Sequence, residues 1–189
     1  MVWILLAPVL VGIAGYTWYV TLIRRRNQAR EALASVDVQL QKRHDLIPNI
    51  LLLARKFMAH EAALLEQITA LRARVTRSYD PGDPAQVREH LEAAGGLESS
   101  LQRLFAVSEA YPSMRSSETV LEAQQTYAEV EGHIAAARRF YNSAVSDLRN
   151  AMEIFPGSWI AGLAQVESMP FYEVPDRAAH QAVDVNAHL

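Results

Sequence analysis

The sequence predicts an all-α protein, with an N-terminal transmembrane helix continuing into a long antiparallel up-down bundle of three long helices and a short C-terminal one. Three observations predict it. The first 23 residues carry no charge, proline and glycine are scarce between Gln28 and Arg77, and a seven-residue apolar period runs from Val120 to Phe155.

Val2 to Ile23 is an unbroken uncharged run, and about 20 apolar residues suffice to cross a hydrocarbon core. Pro8, Gly12 and Gly15 are tolerated in such spans. Trp3 at one end and Tyr16, Trp18 and Tyr19 at the other suit the two membrane interfaces. A cleaved signal peptide would carry its basic residues before the apolar run. Here Arg24, Arg25, Arg26 and Arg30 follow it. The positive-inside rule then puts the N-terminus outside and the domain in the cytoplasm. These arginines serve as topology signals, or alternatively hold the helix against anionic headgroups. Domain boundaries follow: 1–23 anchor, 24–172 bundle, 173–189 a polar, disordered tail.

In the first bundle helix, Leu33, Val36, Leu40, Ile47, Leu51, Ala54, Phe57, Leu64, Ile68, Leu71 and Val75 recur at helical spacing. Leu33 to Val75 would measure roughly 64 Å as one helix, kinked at Pro48. Ser78 to Pro84 is a turn. A second helix, Ala85 to Ala110, carries Val87, Leu91, Ala94, Leu101, Leu104 and Phe105, with Gly95-Gly96 marking a bend or a close contact. Tyr111-Pro112 ends it.

The third helix, Ser117 to Phe155, places Val120, Tyr127, Ile134, Tyr141, Leu148 and Phe155 seven residues apart. Ala123, Val130, Ala137, Ala144 and Ala151 each follow three residues later. That is a coiled-coil-like seam of large and small residues. It suits packing within the chain better than dimerisation, since two other long amphipathic helices are at hand. Ser158 to Ala164 forms a short helix capped by Ser158. Its Trp159, Ile160 and Leu163 face one way, to close the bundle end in the preferred reading, or to touch a membrane interface.

The sequence offers no catalytic, cofactor or metal constellation. It contains no cysteine, no phosphate-binding glycine loop and no Gly-x-Ser-x-Gly elbow. His60-Glu61 starts like a zinc-protease helix, but Leu64 stands where the second histidine belongs. Glu131 and His133 miss the Glu-x-x-His spacing of di-iron bundles. A net charge of −3 with mixed signs does not suit a nucleic-acid partner. What remains is polar: Asp37, Gln39, Arg43, Asp45 and Asn49 around Pro48, then Glu131, Arg138 and Asn142. Such groups usually fix register inside a bundle. The competing expectation is a ligand or enzyme site made of Asp45, Asn49, Arg138 and Asn142.

These residues also carry a resemblance. Asp37-Val-Gln39-Leu40, Arg43-x-Asp45-Leu-Ile-Pro48-Asn49, Glu109-Ala-Tyr111-Pro112, Glu131-x-x-Ile134, Ala137-Arg138, Tyr141-Asn142 and Phe155-Pro156 resemble, in order and spacing, the LemA family of bacterial membrane proteins. The family's second Tyr-Asn pair is Leu148-Arg149 here, and its usual Phe and Leu before Glu131 are Val120 and Ala123. The resemblance implies an anchored helical bundle in the bacterial inner membrane, with no defined enzymatic activity or cofactor. It implies partners among the lipid bilayer, further copies of the chain, and other membrane proteins such as a membrane protease. One branch of the family is associated with building magnetosome membranes. The function expected is therefore a membrane-anchored scaffold or adaptor, with membrane remodelling as the alternative.

Overall fold

The computed structural model describes the backbone of residues 2–58, 60–115 and 117–173, and side chains from Pro8 onward except at 113 and 115. The tail expected beyond residue 173 lies outside these. All regular structure among the described residues is helical: α1 (Val2–Phe57), α2 (Ala62–Val75), α3 (Pro84–Ser108), α4 (Pro112–Arg115), α5 (Glu118–Glu153) and α6 (Gly157–Leu163).

α1 and α5 form the long antiparallel pair. Trp18 meets Ala151, Arg25 meets Asp147 and Arg43 meets Glu131 along it. The predicted seam is the reason: Val120, Tyr127, Ile134, Tyr141 and Leu148 are all buried, against Leu22, Ala29, Ala32, Leu33, Val36 and Ile47 of α1 in one core. Only Phe155 departs from it. It lies beyond the end of α5 and is exposed.

The first bundle helix differs from its prediction in two ways. It does not break at Pro48, which sits on an exposed face inside an unbroken α1. It breaks instead after Phe57, and α2 folds back along α1, so that Tyr79 returns to the level of Asp37. A single 33–75 helix would have left the stripe of Leu64, Leu65, Ile68 and Val75 without a partner. Reversal buries all four. Four long helical stretches therefore alternate in direction: α1 up, α2 down, α3 up and α5 down.

The turn before α3 follows local chemistry. Asp80 accepts from Gly82 N at 2.7 Å, and Asp83 caps α3 by accepting from Ala85 N at 2.8 Å, with Pro84 at the first helical position. Hydrogen bonds from the Asp83 carboxylate's neighbours, the Gln86 side chain first, hold its pKa below the usual value. Gly96 faces α2, where a Cβ would make ordinary van der Waals contact with the Leu71 side chain at 3.6 Å, so the helix contact does not depend on glycine.

The N-terminal part of α1 does not by itself support the predicted span. Among the described residues no helix is long and apolar enough to cross a membrane. The inner end of this N-terminal stretch is engaged by the bundle: Leu22 is fully buried and the Trp18 indole N–H donates to Ala151 O at 3.3 Å. As the sequence implies, no linker separates this stretch from the bundle.

Candidate functional site

Three polar groupings and one apolar surface are the places where this fold could act.

The most buried grouping centres on Arg43, only 1% exposed. Arg43 lies on the core stripe with Val36, Leu40 and Ile47, so the α1 backbone delivers its guanidinium into the bundle. Nη1 lies 3.2 Å from Glu131 Oε1 and 3.9 Å from Glu98 Oε2, and Nη2 donates to Ala94 O at 2.9 Å. A buried charge is tolerated only when paired and hydrogen-bonded. One cation between two carboxylates leaves a surplus negative charge. Burial, and then the neighbouring Glu131, push the Glu98 pKa above its usual value. Burial also pushes the Tyr127 and Tyr172 phenols up. This cluster ties α1, α3 and α5 together in a closed interior.

A second grouping sits beside an open cleft of about 300 Å³ between α1 and the α2–α3 turn. Asp37 accepts from the Tyr79 hydroxyl at 2.6 Å and lies 3.1 Å from His90 Nε2, while the Tyr79 and His90 rings stack 4.2 Å apart. Burial and the Asp37 hydrogen bond raise the Tyr79 pKa, so the phenol stays protonated and donating. His44 lines the same cleft, its pKa lowered by burial and then by Arg72. Sequence reasoning identified Asp37 but neither Tyr79 nor His90.

The third grouping fastens the C-terminal segment. Tyr141 donates its hydroxyl to Pro170 O at 2.7 Å. Asn142 accepts from Tyr172 N at 2.8 Å and donates to Tyr172 O at 3.1 Å. The Arg138 guanidinium lies 5.8 Å from the centroid of the Tyr172 ring.

The proposed Asp45, Asn49, Arg138 and Asn142 site does not assemble. Asp45 is exposed and accepts from Gln41 on its own helix. Asn49 lines an apolar groove near the far end of the bundle with Leu52 and Glu122. Arg138 and Asn142 serve the C-terminal segment, about two and three turns along α5 from Glu131. Of the other motif residues, Gln39 is half-buried, Tyr111 donates to Glu61 Oε1 at 3.4 Å, Pro112 opens α4 and Pro156 stands before α6.

The apolar surface lies at the end where α1 leaves the bundle. Pro156, not Ser158, stands at the start of α6, which seats Gly157 and Ala161 and half-buries Ile160. Trp159 and Leu163 point away. They do not close the bundle, because the helix turns its small residues inward to pass close to Trp18 and Ala151. Arg25 beside this end is engaged by Asp147 at 2.8 Å and is not free for headgroups.

An up-down bundle held by a buried arginine, with a helix projecting from one end, defines an all-α helical-bundle class of protein. The sequence pattern of the LemA family matches residues 32–186, and the chain belongs to that family. Among relatives, Magnetosome proteins MamQ 1 and MamQ 2 of Paramagnetospirillum magneticum are each 22% identical, over 82% of this chain and 64% of their own length. Magnetosome protein MamQ of Magnetospirillum gryphiswaldense is 30% identical over 50% of this chain and 35% of its own length. The chain thus spans 64% of the length of the first two relatives.

Proposed function

We propose that this chain is a non-enzymatic, membrane-anchored scaffold that holds its bundle at a fixed stance and recruits further copies or other membrane proteins. The observation that carries it is the unbroken course of α1. It leaves the core at Leu22, fully buried, and runs out with Val9, Leu10, Val11 and Ile13 all more than half exposed. Exposed apolar side chains of this size on consecutive helical turns need a nonaqueous neighbour. In this reading α1 enters the bilayer on the N-terminal side of Trp18, with apolar residues 2–7 adding length beyond Pro8, and Arg24 onward faces the cytoplasm. The one polar cluster the sequence offered an enzyme does not assemble, with Asp45 exposed, Asn49 on a separate groove and Asn142 holding the C-terminal segment, which supports a scaffold.

Membrane fractions from cells expressing the full chain should retain it through alkaline carbonate washing. Cross-linking in those membranes, followed by mass spectrometry, should capture a second copy or a membrane-protein partner. Release by carbonate would end the anchor reading, and a strictly monomeric chain with no captured partner would end the scaffold reading.

The similarity to magnetosome proteins favours a second reading in which the scaffold shapes the membrane that carries it. Reconstitution at increasing density would then deform vesicles, and vesicles that stay spherical at every density would exclude it.

A further inference from the structure

α6 begins at the level where α1 leaves the bundle. Gly157 lies so close to this exit that a Cβ there would stand 2.6 Å from Trp18 Nε1. One side of the α6 segment is spent on this seat, through Gly157, Ile160 and Ala161. The other side is unpartnered: Trp159 is 75% exposed and Leu163 87%, and the preceding turn adds Ile154 at 57% and Phe155 at 73%. Phe155 and Trp159 meet edge to face, 6.0 Å between centroids. So two chain segments far apart in sequence, α1 before Trp18 and the 154–163 stretch, expose large apolar side chains at one end of the molecule. Charge at that end is mixed, with exposed Glu153 next to the patch and arginines on α1. Arg24 is exposed, and neither it nor Arg26 has an ion-pair partner among the described residues.

We infer that residues 154–163 form a second membrane contact, a foot that inserts Phe155, Trp159 and Leu163 into the headgroup–acyl boundary beside α1. The inference rests on the reading of α1 as the anchor. A bilayer is the occupant because the patch adjoins the apolar helix already assigned to lipid, and because an indole with an apolar body and a polar N–H favours that boundary. A short interfacial helix buries its apolar face about 5–10 Å deep. Two contacts a helix width apart fix the tilt of the bundle, which one α-helical anchor alone would leave free.

The absence of native cysteine makes the test clean. The full chain carrying Ile13→Cys, Leu163→Cys or Leu52→Cys, each spin-labelled, is reconstituted into vesicles of phosphatidylcholine and phosphatidylglycerol. Collisions with oxygen and with a water-soluble nickel chelate are then compared. Leu52 is 70% exposed near the far end of α1 and reports the aqueous reference. Labels at 13 and 163 should both collide several-fold less with nickel, and more with oxygen, than the label at 52. A label at 163 as aqueous as that at 52, with 13 immersed, overturns the foot and leaves the anchor. A label at 13 in water with 163 immersed supports the foot and overturns the anchor. Both in water overturns both. Shielding of 163 from nickel and oxygen alike, with spin–spin broadening, overturns the foot in favour of contact between copies.

Discussion

Arg43 and Glu131 meet 3.2 Å apart across the interface of α1 and α5, the arginine side chain 1% exposed and the glutamate 19%. The pair joins the two longest helices about midway along the length they share, where a shift by one turn would separate it. Its worth is in register as much as in stability, because a well-packed apolar substitute of like volume is often no less stable than a buried ion pair.

Removing only the cation is therefore the damaging change. Arg43→Met leaves Glu131 and Glu98 facing each other in the core, at a cost of about 3–5 kcal/mol. The variant combining it with Glu98→Leu and Glu131→Leu should recover much of that loss. Urea unfolding of the three proteins measures it. A single variant as stable as the parent would mean that the buried charges are not coupled as the distances imply.

Glu98 gives a pH dependence with a definite sign. Its folded pKa lies above the ordinary value of 4.5, chiefly through burial and then through Glu131. The folded state thus binds its proton more tightly than the unfolded state. The stability this contributes is complete below pH 4.5 and is lost as pH rises through the raised folded value. Glu98→Gln should lack this loss. Unfolding midpoints of parent and variant should run parallel in acid and diverge above it, with the parent falling behind. Divergence in the opposite sense would show that Arg43 outweighs burial.

The helical class and the α5 seam were legible because a seven-residue period over five repeats has one structural meaning. The reversal of α2 was not. Met58 to Glu61 contain neither glycine nor proline, whereas Pro48, the nominal breaker, sits in an unbroken helix. What decides is whether Leu64, Ile68 and Val75 find a partner, and helical periodicity does not encode that. In the core site, Arg43 and Glu131 were readable from their place near apolar stripes. Glu98 was equally readable, since Ala94, Glu98 and Leu101 follow the i, i+4, i+7 spacing of one face. His90, three residues after Val87, has the same property. Asp45 was grouped with Arg43 through nearness in sequence, yet two residues along a helix is more than half a turn around it. Tyr79 lies in a turn, where no period marks a partner.

Asn142 should act as a latch for the C-terminal segment. Asn142→Ala removes both hydrogen bonds to the Tyr172 backbone, leaving a buried residue's N–H and C=O unpaired, at about 1–3 kcal/mol. The expected effect is local. Amide exchange at Tyr172 and cleavage around Gln165 to Glu173 should accelerate, with α1 and α5 exchange little changed. Protection that is unaltered at Tyr172 would show that Tyr141 and the Pro170 carbonyl hold the segment alone.

The two α6 glycines make opposite predictions, and together they test how the foot is seated. A Cβ on Gly157 would collide with the Ala151 carbonyl oxygen and crowd the Trp18 indole. Both neighbours belong to the α1–α5 contact, so relief requires moving α6 away from it. Gly157→Ala should cost about 1–3 kcal/mol or more, as overpacking does. Gly162 meets nothing within 4 Å, and its substitution only trades backbone freedom for helix propensity. Gly162→Ala should be neutral or stabilise by up to about 1 kcal/mol. Thermal unfolding of the reconstituted full chain compares the two, and Trp18 fluorescence reports the seat directly in a chain whose other tryptophans are replaced by phenylalanine. Gly157→Ala should shift that emission and Gly162→Ala should not. Equal behaviour of the two variants would detach α6 from Trp18, and with it the argument that places Trp159 and Leu163 beside the emerging α1.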